Sequence, residues 1–217
     1  MPAVPALPAW AGSVNLAATL ARRAGVFVCA AELTNREPSM QELVLRGDCG
    51  QCAALCCAHH AFDRSDKFAI DKPAGEPCPN LSGMGRCAIH GSLAASGFSG
   101  CASYDCLGAG QHVVQGLFGG RSWQTEPALK KPMFEAFRAM RQVHELLVLL
   151  REARRLPLTD EQSARCTALE AELLPKGGWT LTQLAAFERG PLPGRVRAFL
   201  LALRAHVSFG REQREPA

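Results

Sequence analysis

Eight of the ten cysteines in this chain fall between Cys49 and Cys106. They run Cys49-x2-Cys52-x3-Cys56-Cys57, then Cys78, Cys87, Cys101 and Cys106. A thiolate is a soft, charged ligand. Zn²⁺ takes four such donors at tetrahedral corners, and iron–sulfur clusters are also held by four cysteines. A C-x2-C pair can bring two sulfurs to one metal without straining the backbone between them. On a helical turn Cys52 and Cys56 would share a face, since they are four apart, and Cys57 would point elsewhere. The vicinal pair then suits two metals, or one metal and one buried contact. Eight thiols divide into two four-cysteine sites, or into one cluster with the remainder structural. All eight are therefore candidate metal ligands. His59 and His60 follow the double cysteine and His90 lies three beyond Cys87, so each stands where it could complete a site. Cys29 and Cys166 sit in apolar or helical contexts and read as small buried hydrophobes.

The elements that must position these groups are read from the rest of the chain. At 217 residues, 47% hydrophobic and 20% charged, it can bury a core as one domain or two small ones. The net charge is +4. Residues 1–48 balance at zero and 49–120 carry −1, whereas 121–217 carry +5. This basic excess lies on segments also rich in Glu, which reads as solvated helix faces and not a nucleic-acid surface. The helical C-terminal region is instead the expected surface for any protein partner. The longest apolar runs, Leu146–Leu150 and Ala198–Leu203, fall far short of the roughly 20 residues a spanning helix needs, so no membrane partner is expected. Pro2, Pro5 and Pro8 interrupt the uncharged start, and Arg22 and Arg23 follow it, which argues against a secretory signal. The expected compartment is the cytoplasm, where thiols stay reduced and dense cysteine clusters more often hold metal than disulfides.

Ser13 is placed to cap a helix through Ala24, Val26–Leu33 is ambiguous, and Ser39 with Glu42 forms a capping box. From Asp48 to Gly120 no apolar period lasts, and a loop-rich stretch this long needs something beyond a conventional core to hold it. Within it, Asp71-Lys72-Pro73-Ala74-Gly75 reads as a turn before Cys78. After Trp123 the pattern turns helical. Pro132 suits a first turn, and Met133, Phe137, Met140, Val143, Leu147 and Leu150 recur at three-and-four spacing up to Pro157. Thr159 with Gln162 and Thr180 with Gln183 form two more capping boxes, Gly190 stops the second helix, and Arg195–Val207 forms a last one. Tyr104, Asp105 and Trp123 are placed either to hydrogen-bond around a metal site or simply to pack. The predicted fold is mainly α, a loop-rich cysteine-dense metal-binding module packed against flanking helices. Its parts are 1–48, 49–120 and 121–217, which can also pack as one composite domain.

The run CGQCAALCC, with PCPNL, RCAIH and GCASYDC, resembles the YkgJ family, the CxxCxxCC group described as zinc- or iron-chelating. Cys49, Cys52, Cys56, Cys57, Cys78, Cys87 and Cys101 match its pattern residue by residue. The second gap is three residues here where the family has two, and His90 stands where it usually has Tyr. A closer likeness covers roughly residues 46–150. FAIDKPAGEPCPNL, GFSGCASYDCLGAGQHVVQGLFGGRSW and MFEAFRAMRQVHELL resemble the cysteine-rich N-terminal region of some bacterial pentapeptide-repeat proteins, without the repeats. The resemblance implies a protein that holds zinc or an iron–sulfur cluster in a structural or interaction role. The pattern is also similar to that of flagellin lysine N-methylases, which implies the alternative of a cluster-dependent modifying enzyme.

Overall fold

The computed structural model describes residues 43–83 and 85–206. The readings for Ser13–Ala24, Val26–Leu33, Cys29, the Ser39–Glu42 capping box and residue 207 onward lie outside the described residues. What is described is mainly helical, as the sequence pattern predicts.

The centre of the packing is one long helix, Lys130–Ala153. It carries the periodic set named above, and all six of those residues are at most 1% exposed. Each fully buried Leu, Met, Phe or Val contributes about 1.5–3 kcal/mol relative to exposure, so this stripe dominates the core. Pro132 lies in its first turn, where a missing N–H costs nothing.

Preceding it are three short helices: α1 (Leu55–His59), α2 (Ser99–Ser103) and α3 (Ala109–Gln111). The long helix is therefore α4. After it come α5 (Asp160–Leu173), α6 (Leu181–Phe187) and α7 (Leu192–Ala202), with a 3-10 turn at Leu203–His206. Both predicted capping boxes form. The Thr159 side chain accepts from Gln162 N–H and the Thr180 side chain from Gln183 N–H, and each Gln side chain reaches back. The last helix starts at Leu192, earlier than the predicted Arg195, because Pro191 and Pro193 fit a first turn. Its final residues tighten into the 3-10 turn. An ion pair between Arg138 and Glu188, at 2.7 Å, ties α4 to the end of α6. A second, between Arg154 and Glu170 at 2.6 Å, ties the end of α4 to α5. They are surface pairs worth at most about 1 kcal/mol each.

Cys166 on α5 is fully buried, its Sγ 3.6 Å from Leu150 O. Cys166→Ser keeps a donor for that carbonyl. It is expected to cost about 1 kcal/mol by thermal melting and to leave metal content unchanged.

The segment before α4 is loop-rich as predicted, and its only strand-like pairings among the described residues are two isolated bridges, Phe62 with Lys72 and Leu81 with Cys87. It is not devoid of helix. α3 continues directly into a π-helix over His112–Leu117, a rare geometry that often marks a functional segment. The sequence hides this element because Gly116, Gly119 and Gly120 read as turn formers.

Candidate metal centre

The loop that carries the first four cysteines is built from backbone constraint. Asp48 Oδ1 accepts from Gly50 N–H at 2.8 Å and its Oδ2 from Gln51 Nε2 at 3.0 Å, which starts a 3-10 turn over Cys49–Gln51. Two consecutive non-glycine residues then sit in the left-handed region, Ala53 at φ 47° and Ala54 at φ 53°. Each costs roughly 1–2 kcal/mol and persists only where the surroundings over-determine it. The left-handed pair interrupts any helix between Cys52 and Cys56, so they do not share a helical face as their spacing suggests. Nor does Cys57 turn away: its Sγ lies 3.9 Å from that of Cys56.

Partners about 60 residues downstream hold this loop. Gln111 accepts from Asp48 N–H at 2.7 Å and donates to Arg46 O at 2.9 Å. Gln115 donates to Gln51 O at 3.1 Å, and Trp123 Nε1 to Ala53 O at 2.8 Å. Asp105 Oδ1 accepts from Gly47 N–H at 2.9 Å and Leu107 N–H at 2.7 Å. Asp105 and Trp123 thus brace the loop, and so do Gln111 and Gln115, which residue type alone does not single out. The signal for them is their four-residue spacing, which puts both on one face of a helix that the glycines conceal. Gly110 has a separate role. A Cβ there would lie 2.8 Å from Cys52 Cβ, so glycine lets α3 approach the loop.

The other cysteines join through short backbone links. Cys78 N–H donates to Cys57 O at 3.0 Å, and the Leu81–Cys87 bridge folds Cys87 back beside it. Charge on Cys57, Cys78 or Cys49 reaches Cys87, and charge on Cys57, Cys78 or Cys87 reaches Cys101. The Sγ atoms of Cys52 and Cys106 flank Gly110, 3.5 and 3.8 Å from where its Cβ would be. All nine described cysteines are unpaired. Among the described residues no three His, Cys, Asp or Glu side chains are arranged to hold a metal ion.

The thiols are inequivalent. A hydrogen bond from Cys52 and another from His90 hold Cys49 down to about 6. Cys52 and Cys56, each hydrogen-bonded to its neighbouring cysteine and then desolvated, are pushed up. The Cys56 thiol pulls Cys57 down. Burial raises Cys87, and Cys101 to about 11.

The turn read at residues 71–75 forms at Ala74–Gly75, with Gly75 at φ 78°, but Lys72 beside it is buried. It is only 4% exposed, and its ammonium donates to Ala58 O, Pro73 O and Glu76 O at 3.1, 3.0 and 2.8 Å. Burial lowers its pKa, opposed chiefly by the negative forms of Cys78 and Cys57. Nothing local in the sequence marks it, since the Asp, Pro and Gly around it speak for solvent.

Of the histidines beside the double cysteine, His60 Nε2 is 2.8 Å from the Tyr104 hydroxyl, and burial lowers its pKa to about 4. His59 packs edge-on against Phe134 and Phe137, with its buried Nδ1 unpartnered. Behind the loop, His144 is fully buried, its Nδ1 2.6 Å from Leu107 O and its Nε2 3.0 Å from His112 Nδ1. A carbonyl only accepts, so His144 carries its proton on Nδ1 and accepts from His112.

No protein-family model matches the chain, and no solved structure matches it. It is 43% identical over 109 residues to a Bacillus subtilis (strain 168) protein described as "Uncharacterized protein YybG". That stretch is half of this chain and 39% of the relative, so the chain spans about two-fifths of the length of the protein it matches.

Proposed function

We infer that this chain is a metal-binding protein. Thiolates drawn from Cys49, Cys52, Cys56, Cys57, Cys78, Cys87, Cys101 and Cys106 hold zinc or an iron–sulfur cluster, in a structural or interaction role. The observation that carries this reading is Lys72. A buried ammonium needs an opposite charge, and among the described residues no carboxylate pairs with it. The charges that oppose its burial come first from Cys78 and Cys57 and then from Glu76, and the thiols become fully anionic when they ligate a metal. Lys72 then offsets part of the charge of a site that is negative overall.

Two further observations support the reading. The separation of 3.9 Å between the Cys56 and Cys57 sulfurs matches the edge of a ZnS₄ tetrahedron, about 3.8 Å for a Zn–S bond near 2.3 Å. One χ1 step between staggered wells moves a thiol sulfur by about 3 Å, so gathering more donors needs side-chain rotation and no refolding. The donor chemistry suits a thiophilic metal. When bound, such a metal supplies cross-links to a segment with few core residues of its own.

The test is elemental analysis with a visible spectrum on full-length protein purified without oxygen and without an affinity metal. Zinc in a colourless sample, or iron with acid-labile sulfide in a brown one, is expected. Cys49→Ser and Cys87→Ser should each lose most of the metal. Lys72→Met should weaken retention by about 10–100-fold, as removal of groups behind metal ligands does. Full retention in both cysteine variants overturns the reading.

A further inference from the structure

We propose that Cys49 and Cys52 form a dithiol that exchanges with small anionic disulfides bound in the cavity beside Cys49. It concerns the metal-free chain, because a sulfur bound to metal cannot also attack a disulfide.

A cavity of about 360 Å³ opens at Cys49, lined by Gln51, Arg86, Gln115, Ser122 and Thr125 among others. That volume lies in the range of small-molecule sites. Its walls carry one guanidinium and no carboxylate; the Gln51 and Gln115 amides already donate to Asp48 and to Gln51 O, and the Thr125 hydroxyl to Ser122 O, which leaves Arg86 as the charged group facing a ligand. Among the described residues Arg86 makes no ion pair. Arg86 would bind a carboxylate, since an arginine fork takes one with two parallel hydrogen bonds. Spacing singles out none of these lining residues for this role, because they come from three separated stretches of chain.

The two cysteines differ in access. Cys49 is exposed and faces the cavity, while Cys52 is 4% exposed and lies behind it. The 3-10 turn over Cys49–Gln51 brings the Cα atoms of residues 49 and 52 within the roughly 7 Å of a tight turn. A disulfide spans about 4.4–6.8 Å between Cα atoms, so the turn needs little adjustment to close one. The outer thiol can therefore meet a ligand that the inner thiol cannot reach.

The chemistry balances. Cys49 Sγ attacks one sulfur of RS–SR, the S–S bond breaks, and the leaving sulfur takes up the Cys49 proton as RSH. Cys52 Sγ then attacks the Cys49 sulfur of the mixed disulfide and releases a second RSH. In sum RSSR gains two electrons and two protons, and the protein loses them as its two thiols become one disulfide.

The test uses the full-length reduced chain freed of metal by a chelator, with metal content and the helical circular dichroism signal measured alongside, so that loss of the fold, failure of the metal reading and failure of the exchange are told apart. Glutathione disulfide is the anionic probe and cystamine the cationic one. Peptide mapping of the wild type should find a Cys49–Cys52 disulfide, and Cys52→Ser should arrest with glutathione on Cys49. Arg86→Glu, a change on an exposed side chain, should slow the anionic probe by about tenfold and spare the cationic one. Modification spread over the other cysteines, or equal slowing of both probes by Arg86→Glu, would overturn the proposal.

Discussion

Phe137→Ala is expected to destabilise the protein by about 3–5 kcal/mol, the usual cost of deleting a buried phenyl ring. In a chain of this length that lowers the melting temperature by on the order of 10 °C. Phe137 is fully buried in the first third of α4, and its ring lies 5.6 Å from that of His59 and 5.8 Å from that of His60. Those histidines belong to the segment that carries Cys56 and Cys57. The variant should therefore also speed the reaction of the cysteines with a thiol reagent, since the cavity undercuts the helix behind them. Leu149→Ala is the control. That side chain is 49% exposed, and its loss should change stability by less than about 0.5 kcal/mol. A loss under about 1 kcal/mol for Phe137→Ala would mean that α4 does not support the cysteine loop as described.

The second large effect is a fall in stability on acidification. His144 is buried in neutral form, and desolvation lowers its pKa to about 4 from an unfolded value near 6.5. Between these values the unfolded chain holds a proton on this ring that the folded chain does not. Stability therefore rises with pH across this window, is fully present above about 6.5 and declines toward 4. The drop in pKa corresponds to about 3 kcal/mol. His60, and to lesser degrees His59 and His112, are depressed by burial in the same direction. Comparison of denaturant midpoints at pH 7.5 and 4.5 for wild type and His144→Gln isolates the His144 contribution. The variant should be less stable at pH 7.5 yet lose less on acidification. Parallel pH profiles would show that His144 does not titrate as its burial requires.

Where the sequence carries a period or a cap, it is a good guide. The α4 stripe from Met133 to Leu150 is the core, and the boxes at Thr159 and Thr180 start helices where the side chains say they should. In these cases the information is local, because one face must be apolar and one terminal N–H must find an acceptor. The cysteine segment is legible only in composition. Its shape depends on left-handed backbone at Ala53 and Ala54, where no local preference supports that conformation, and on Gln111, Gln115 and Trp123 reaching back across the chain. Lys72 is hidden for the same reason. What buries it is the fold of residues 58–78 around it, and no residue beside it announces that. At Gly108–Gly110 the glycines let a helix pack close to the loop, with Gly108 itself at φ 78° as its first turn begins.

The braces on the cysteine loop also set an order of events at the ribosome. Gln111, Gln115 and Trp123 cannot hold Arg46 through Ala53 until they have themselves been made, and α4, against which α1 packs, ends only at Ala153. At 5–20 residues per second, a nascent chain needs on the order of 5–20 s to travel from Cys49 to the end of α4. For that interval the first four thiols are present and unbraced. Whatever reaches them first, a metal ion, an oxidant or a chaperone, meets a pliable loop before the finished scaffold can choose among them.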